Sequence, residues 1–235
     1  MTASITSSFV LLFFFLVVAF RLLVFPYIRE WPEDQPETRR LRRLDSPGEF
    51  FKLVSELAGA YPMTKRVSRE SRPNRRMKDM LRLVVSGAAE CALLSYIHRR
   101  TALQHGLPQD LVRDLLAGRF EGVSSADLPA LLFARRLVEN GGAVSGGDLE
   151  AVSEAYGPAM ATEMEAFLKL VYFSSLCSNM VNYYERGRVP REERSRIYLA
   201  YLLARPVSWF MLRKAVFLEE YYTRTEPVED RNGTT

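Results

Sequence analysis

Three side chains in one stretch could do chemistry together: Asp79, Cys91 and His98. Cys91 and His98 are seven residues apart. On a helix that is two turns, the same face and about 10 Å of rise. Leu94 lies between them on that face. Asp79 precedes Cys91 by twelve residues, which on one straight helix leaves the two about 120° apart in projection. A break at Ser86-Gly87 would remove that mismatch. It would also put Cys91 in the first turn of a new helix, where the dipole lowers a thiol pKa. A thiolate with an imidazole and a carboxylate nearby would be a nucleophile with groups to move its proton. The imidazole and carboxylate alone would serve acid–base chemistry. The plainer account makes Cys91 a small buried hydrophobe and His98, before Arg99-Arg100, a helix-end surface residue. His105, beside Gly106, reads as a helix-end histidine that complements the dipole, and Cys177 as a structural thiol.

Other chemistries are excluded by count and pattern. Two cysteines in 235 residues rule out a disulfide-rich scaffold and a cysteine-only zinc site, and two histidines outside any His/Cys cluster argue against a metalloenzyme. There is no P-loop, no G-x-G-x-x-G after a strand and no G-x-S-x-G. No cofactor site is expected.

The elements that must position these residues all have a helical period. Ser46-Pro47-Gly48-Glu49 is a capping box. The stripe of Phe50, Phe51, Leu53, Val54 and Leu57 follows it, and Gly59 and Pro62 end the stripe. Asn74 caps a helix carrying Met77, Met80, Leu81, Leu83, Val84 and Val85. A second runs from about Ala88 to Gln104 and stops at Gly106. Shorter helices follow, from Pro108 to Gly118, from Ser124-x-x-Asp127 to Gly141, and from Ser145-x-x-Asp148 to Gly157. Pro158 to Arg186 is long and apolar, and Pro206 divides a C-terminal pair, 191–204 and 206–222. No stretch alternates strictly, so the body is all-α, with short loops and antiparallel neighbours. The C-terminal pair is rich in aromatics (Tyr198, Tyr201, Trp209, Phe210, Tyr221 among them) on several faces, which favours packing on the body or a neighbouring subunit over an interfacial pair lying on a bilayer.

The N-terminus carries a different signal. Phe9 to Phe25 is apolar except for Arg21, long enough to span a bilayer when extended to Ile5 or Ile28. Residues 2–8 lack a basic n-region and no small-residue cleavage site follows, so a retained anchor is preferred to a signal peptide or core helix. The arginines fall within or after the run, which places the body in the cytoplasm of a single-pass membrane protein. Residues 29–100 carry 16 Lys/Arg against 10 Asp/Glu, and residues 101–235 carry 15 against 18. The basic half suits an anionic leaflet. Its scattered charges carry no aromatic-interleaved motif, so nucleic acid is not an expected partner. The segmentation is an anchor over 1–28, a linker over 29–45, a helical domain over 46–189 and a C-terminal helical extension over 190–235.

Residues 78–118 resemble the carboxymuconolactone decarboxylase/AhpD-like (alkylhydroperoxidase-like) superfamily. The redox branch of that family has an acid, then Cys-x-x-Cys-x-x-x-His, then a helix ending in Gly. The matching stretch here holds Lys78-Asp79-Met80-Leu81, Glu90-Cys91-Ala92-Leu93-Leu94-Ser95-Tyr96-Ile97-His98 and Thr101-Ala102-Leu103-Gln104-His105-Gly106. Ala130 to Leu137 and Val171 to Tyr184, with Asn182, look like the family's later helices. The likeness in helix order covers roughly Phe50 to Arg188. The resemblance implies an AhpD-like helical bundle that forms a dimer or trimer, and a peroxidase or disulfide chemistry with a thiol reductant. It implies catalytic roles for Cys91, His98 and Asp79. Two departures bear on it: Leu94 stands where the second motif cysteine belongs, and Asp79 stands for a glutamate. A dithiol cycle within the motif is therefore impossible. The first expectation is a membrane-anchored thiol oxidoreductase or peroxidase. The alternatives are a non-catalytic helical module for oligomerisation or binding, and a decarboxylase-like acid–base enzyme using His98.

Overall fold

The computed structural model describes residues 42–69, 73–187 and 189–225, with side chains outside 61–69, 212 and 214–225. All of them belong to one unit, Glu37–Thr235. Among the described residues the structure is helical throughout: α1 (Pro47–Arg69), α2 (Arg75–Ala88), α3 (Ala92–Gln104), α4 (Gln109–Leu116), α5 (Leu128–Glu139), α6 (Gly146–Tyr156), α7 (Pro158–Glu185) and α8 (Arg191–Thr225). The all-α expectation thus stands.

The caps written in the sequence form as expected. Asn74 accepts the Met77 N–H at 2.8 Å, and Ser145 accepts the Asp148 N–H at 3.2 Å. At α1, Ser46 accepts from the Glu49 N–H, but the Glu49 carboxylate reaches one residue further than a standard box, to the Asp45 N–H at 2.8 Å. Asp148 does more than cap. The Ser145 hydroxyl donates to it at 2.6 Å and Arg136 of α5 at 2.5 Å. These two, Ser145 first, hold its carboxyl below the ordinary carboxylate range. A depressed folded-state pKa contributes stability at pH values above the ordinary one, and that stability is lost as pH falls through the lowered one. Asp148→Asn is therefore expected to destabilise at pH 7, and the gap from the wild type should close on acidification below about pH 4. Urea midpoints at the two pH values check this; a gap that holds or widens in acid would contradict it.

Two proline and glycine stops do not operate. α1 continues through Gly59 and Pro62, and α8 is one helix with Pro206 inside it. An internal proline removes one backbone hydrogen bond. Packing outweighs that loss in α8: Ile197, Ala200, Tyr201, Ala204 and Ser208 are buried. The extension thus packs on the helical body, chiefly along α7.

The core sits around α7, which is buried on every side between Val171 and Asn182. A polar seam runs along it: Ser174, Ser175, Ser178, Asn179 and Asn182 are all buried. Ser174 and Ser175 donate back to the carbonyls of Leu170 and Val171 at 2.9 and 3.0 Å, so their hydroxyls are satisfied within the helix.

The membrane expectation requires correction. Among the described residues no helix is long and apolar enough to cross a membrane. Even α7, with 28 residues, carries Glu163, Glu165, Lys169 and Glu185, and its apolar sides face other helices. A transmembrane helix and a single-pass membrane localisation therefore find no support in the fold. The run over residues 9–25, on which a lipid bilayer partner was expected, lies outside the described residues, as does most of the linker.

Candidate functional site

The hairpin of α2 and α3 carries all three expected site residues. Its turn falls three residues later than Ser86-Gly87, because α2 continues to Ala88. Gly87 lies within α2 at a close approach to α4: a Cβ there would meet the Leu116 carbonyl oxygen at 2.3 Å. The turn proper is Ala89-Glu90-Cys91, closed by Glu90 N–H to Gly87 O and Cys91 N–H to Ser86 O, both 2.9 Å. Glu90 holds φ at 52°, the left-handed region that costs a non-glycine residue roughly 1–2 kcal/mol.

Cys91 is the N-cap residue of α3. The dipole expected to activate it is therefore in place, and the backbone N–H groups of Leu93 and Leu94 favour its thiolate. Burial acts against them and wins. The side chain is 1% exposed, and desolvation pushes the thiol up to about 12 despite those amides and the hydroxyls of Ser175 and Ser178 on α7. Leu94, in the place of the second motif cysteine, is itself 1% exposed. Cys177 lies on α7 and is 0% exposed. It too is free and buried, and burial raises it further, with a smaller contribution from Cys91. The sulfur is thus a thiol at neutral pH, walled by α7.

Asp79 and His98 are also in the interior, 1% and 8% exposed. The histidine that the structure pairs with Asp79 is His105. Its Nδ1 lies 2.5 Å from Asp79 Oδ2, while Arg82 Nη1 donates to Oδ1 at 3.0 Å. The pair joins the first half of α2 to the C-cap of α3 and so fixes the antiparallel hairpin. Arg82 in turn lies over the Phe167 ring of α7, 5.3 Å from its centroid. The expected constellation is therefore divided: Cys91 faces the serines of α7, and Asp79 faces His105 and Arg82.

Sequence reasoning left out two residues that organise the site. Asn179 donates through Nδ2 to the carbonyls of Ala89 and Arg42, both at 2.8 Å. Arg42 sends its guanidinium to the last carbonyls of α5, Val138 and Glu139. An asparagine inside an apolar helical run was the available signal for the first. Among the described residues no group of three or more His, Cys, Asp or Glu side chains could hold a metal ion. Outside the hairpin, α1 and α7 leave an apolar groove of about 470 Å³ lined by Val54, Leu57, Ala58 and Phe173. Phe51, in the same helix, is 57% exposed.

Comparison with protein-family models, with curated proteins and with solved structures finds no match to this chain.

Proposed function

We propose that this chain is a helical module of AhpD-like type that works by assembly or binding and has given up thiolate chemistry. The observation that carries the reading is the state of Cys91: sealed under α7, raised to about 12, and beside a leucine where a dithiol cycle needs a cysteine. A nucleophilic thiol requires the opposite, a lowered pKa and access. The apolar groove beside the exposed Phe51 supports the second half, because contiguous exposed apolar surface marks interaction sites. Homo-oligomerisation is the form of assembly that the resemblance suggests.

The test is thiol alkylation of the native full chain against pH, in Cys177→Ser and Cys91→Ser variants, with hydroperoxide consumption followed in parallel. Cys91 is expected to react at least about a thousandfold more slowly than in the urea-unfolded chain, with no inflection below about pH 8.5. Fast alkylation with an apparent pKa below that value, or peroxide turnover that disappears in Cys91→Ser, would restore the thiol oxidoreductase.

A further inference from the structure

We propose that the strap Arg42–Leu44 is a latch on the Ala89–Cys91 turn, and that Asn179 connects the two. The inference rests on the reading that Cys91 is sealed, and it names what seals it.

The strap is not helical, yet it is built into the body at every residue. Leu44 is 0% exposed. The Arg42 guanidinium takes up the free carbonyls at the end of α5, where a cation also complements the dipole. It also interacts with the Tyr172 hydroxyl. The Arg43 guanidinium lies over the Tyr183 ring, 4.0 Å from its centroid. The strap thereby lies across α5 and α7.

The Asn179 amide nitrogen has two hydrogens, and the structure uses one for each segment: Arg42 O and Ala89 O, both at 2.8 Å. Strap and turn are thus linked through a single NH₂ group. Ser178, the preceding residue of α7, is one of the two serines beside the Cys91 sulfur. The turn has reason to open when the linkage is lost. Asn179 is 2% exposed, so without Arg42 O one of its amide hydrogens is left unpaired in the interior, and the amide that holds Ala89 O loses its second anchor. The left-handed strain at Glu90 would also be relieved. A non-helical segment held mainly by side chains opens at lower free energy than the helical core. A signal at the N-terminal side would therefore reach the motif turn through three residues.

The two cysteines provide the test. Global unfolding exposes both, whereas release of the latch opens the turn beside Cys91 and leaves Cys177 within α7. Arg42→Ala and Leu44→Ala are each placed in the full-length Cys177→Ser and Cys91→Ser chains, and native-state alkylation is timed, with helical circular dichroism confirming the fold. Cys91 labelling is expected to rise about tenfold or more, and Cys177 labelling by less than a third of that factor. Arg42→Ala keeps Leu44 and the strap backbone, so it reports even where Leu44→Ala unfolds. Equal acceleration of both thiols, or no acceleration of Cys91, would overturn the latch and leave the sealed-thiol reading intact. Fast Cys91 labelling with the strap unaltered would overturn both.

Discussion

Asp79→Ala is expected to lower the free energy of unfolding by roughly 3 kcal/mol. The carboxylate is 1% exposed and engages two cationic or potentially cationic partners, Arg82 and His105. Breaking a fully buried ion pair typically costs about 3–5 kcal/mol, because the surviving charge is stranded. Here the partners retain some access to water, with side chains 27% and 19% exposed, which puts the effect at the lower end. Asp79→Asn keeps the shape and one carbonyl acceptor but loses the charge, and about half the effect is expected. Urea unfolding followed by circular dichroism measures both. A loss under about 0.5 kcal/mol for the alanine variant would show that the pair contributes nothing to the hairpin.

Gly87→Ala has the second large expected effect, and two forces of opposite sign meet there. Inside a helix alanine is better than glycine by about 1 kcal/mol. Against that stands a 2.3 Å approach of the new Cβ to the Leu116 carbonyl oxygen, with the Leu116 carbonyl carbon at 2.9 Å. These are backbone atoms at the C-terminal end of α4, so no side-chain rotation relieves the clash. Overpacking of this kind costs about 1–3 kcal/mol, occasionally more. We expect a net loss near 2 kcal/mol, read as a fall in Tm of about 4–8 °C for a domain of this size. A Tm equal to or above the wild type would mean that α4 moves aside freely, and that Gly87 is dispensable.

The legible part of this fold was local. Asn74, Ser145 and Ser46 announced their helices because a cap is a contact between residues three apart. The position of Cys91 near a helix start was also readable, since Ser86-Gly87 offered a break three residues before the observed turn. What the turn leads to was not. The state of the thiol depends on Ser175 and Ser178, more than eighty residues away in sequence, and on desolvation that no spacing reveals. The choice between His98 and His105 as partner of Asp79 follows from how two antiparallel helices align, which the resemblance to a Cys-to-His motif pointed away from. Gly59, Pro62 and Pro206 were read as stops because local propensity disfavours them; around Pro206, packing along α7 overrode it. The apolar run before residue 28 suggested a membrane, while the helices of the described body offer none that could cross one.

The buried polar seam of α7 has one more consequence. Leucines and valines are interchangeable by sliding: a helix shifted by one turn past its neighbours still presents grease to grease. Asn179 is not interchangeable in that way. Four residues earlier the position is held by Ser175 and four residues later by Tyr183, and neither has a pair of amide hydrogens to offer Arg42 and Ala89. A slip of α7 by four residues would leave the Ala89 and Arg42 carbonyls without this donor at once. The helix is indexed like a toothed rack rather than a smooth rod, with its zero set at the residue that also touches the motif turn.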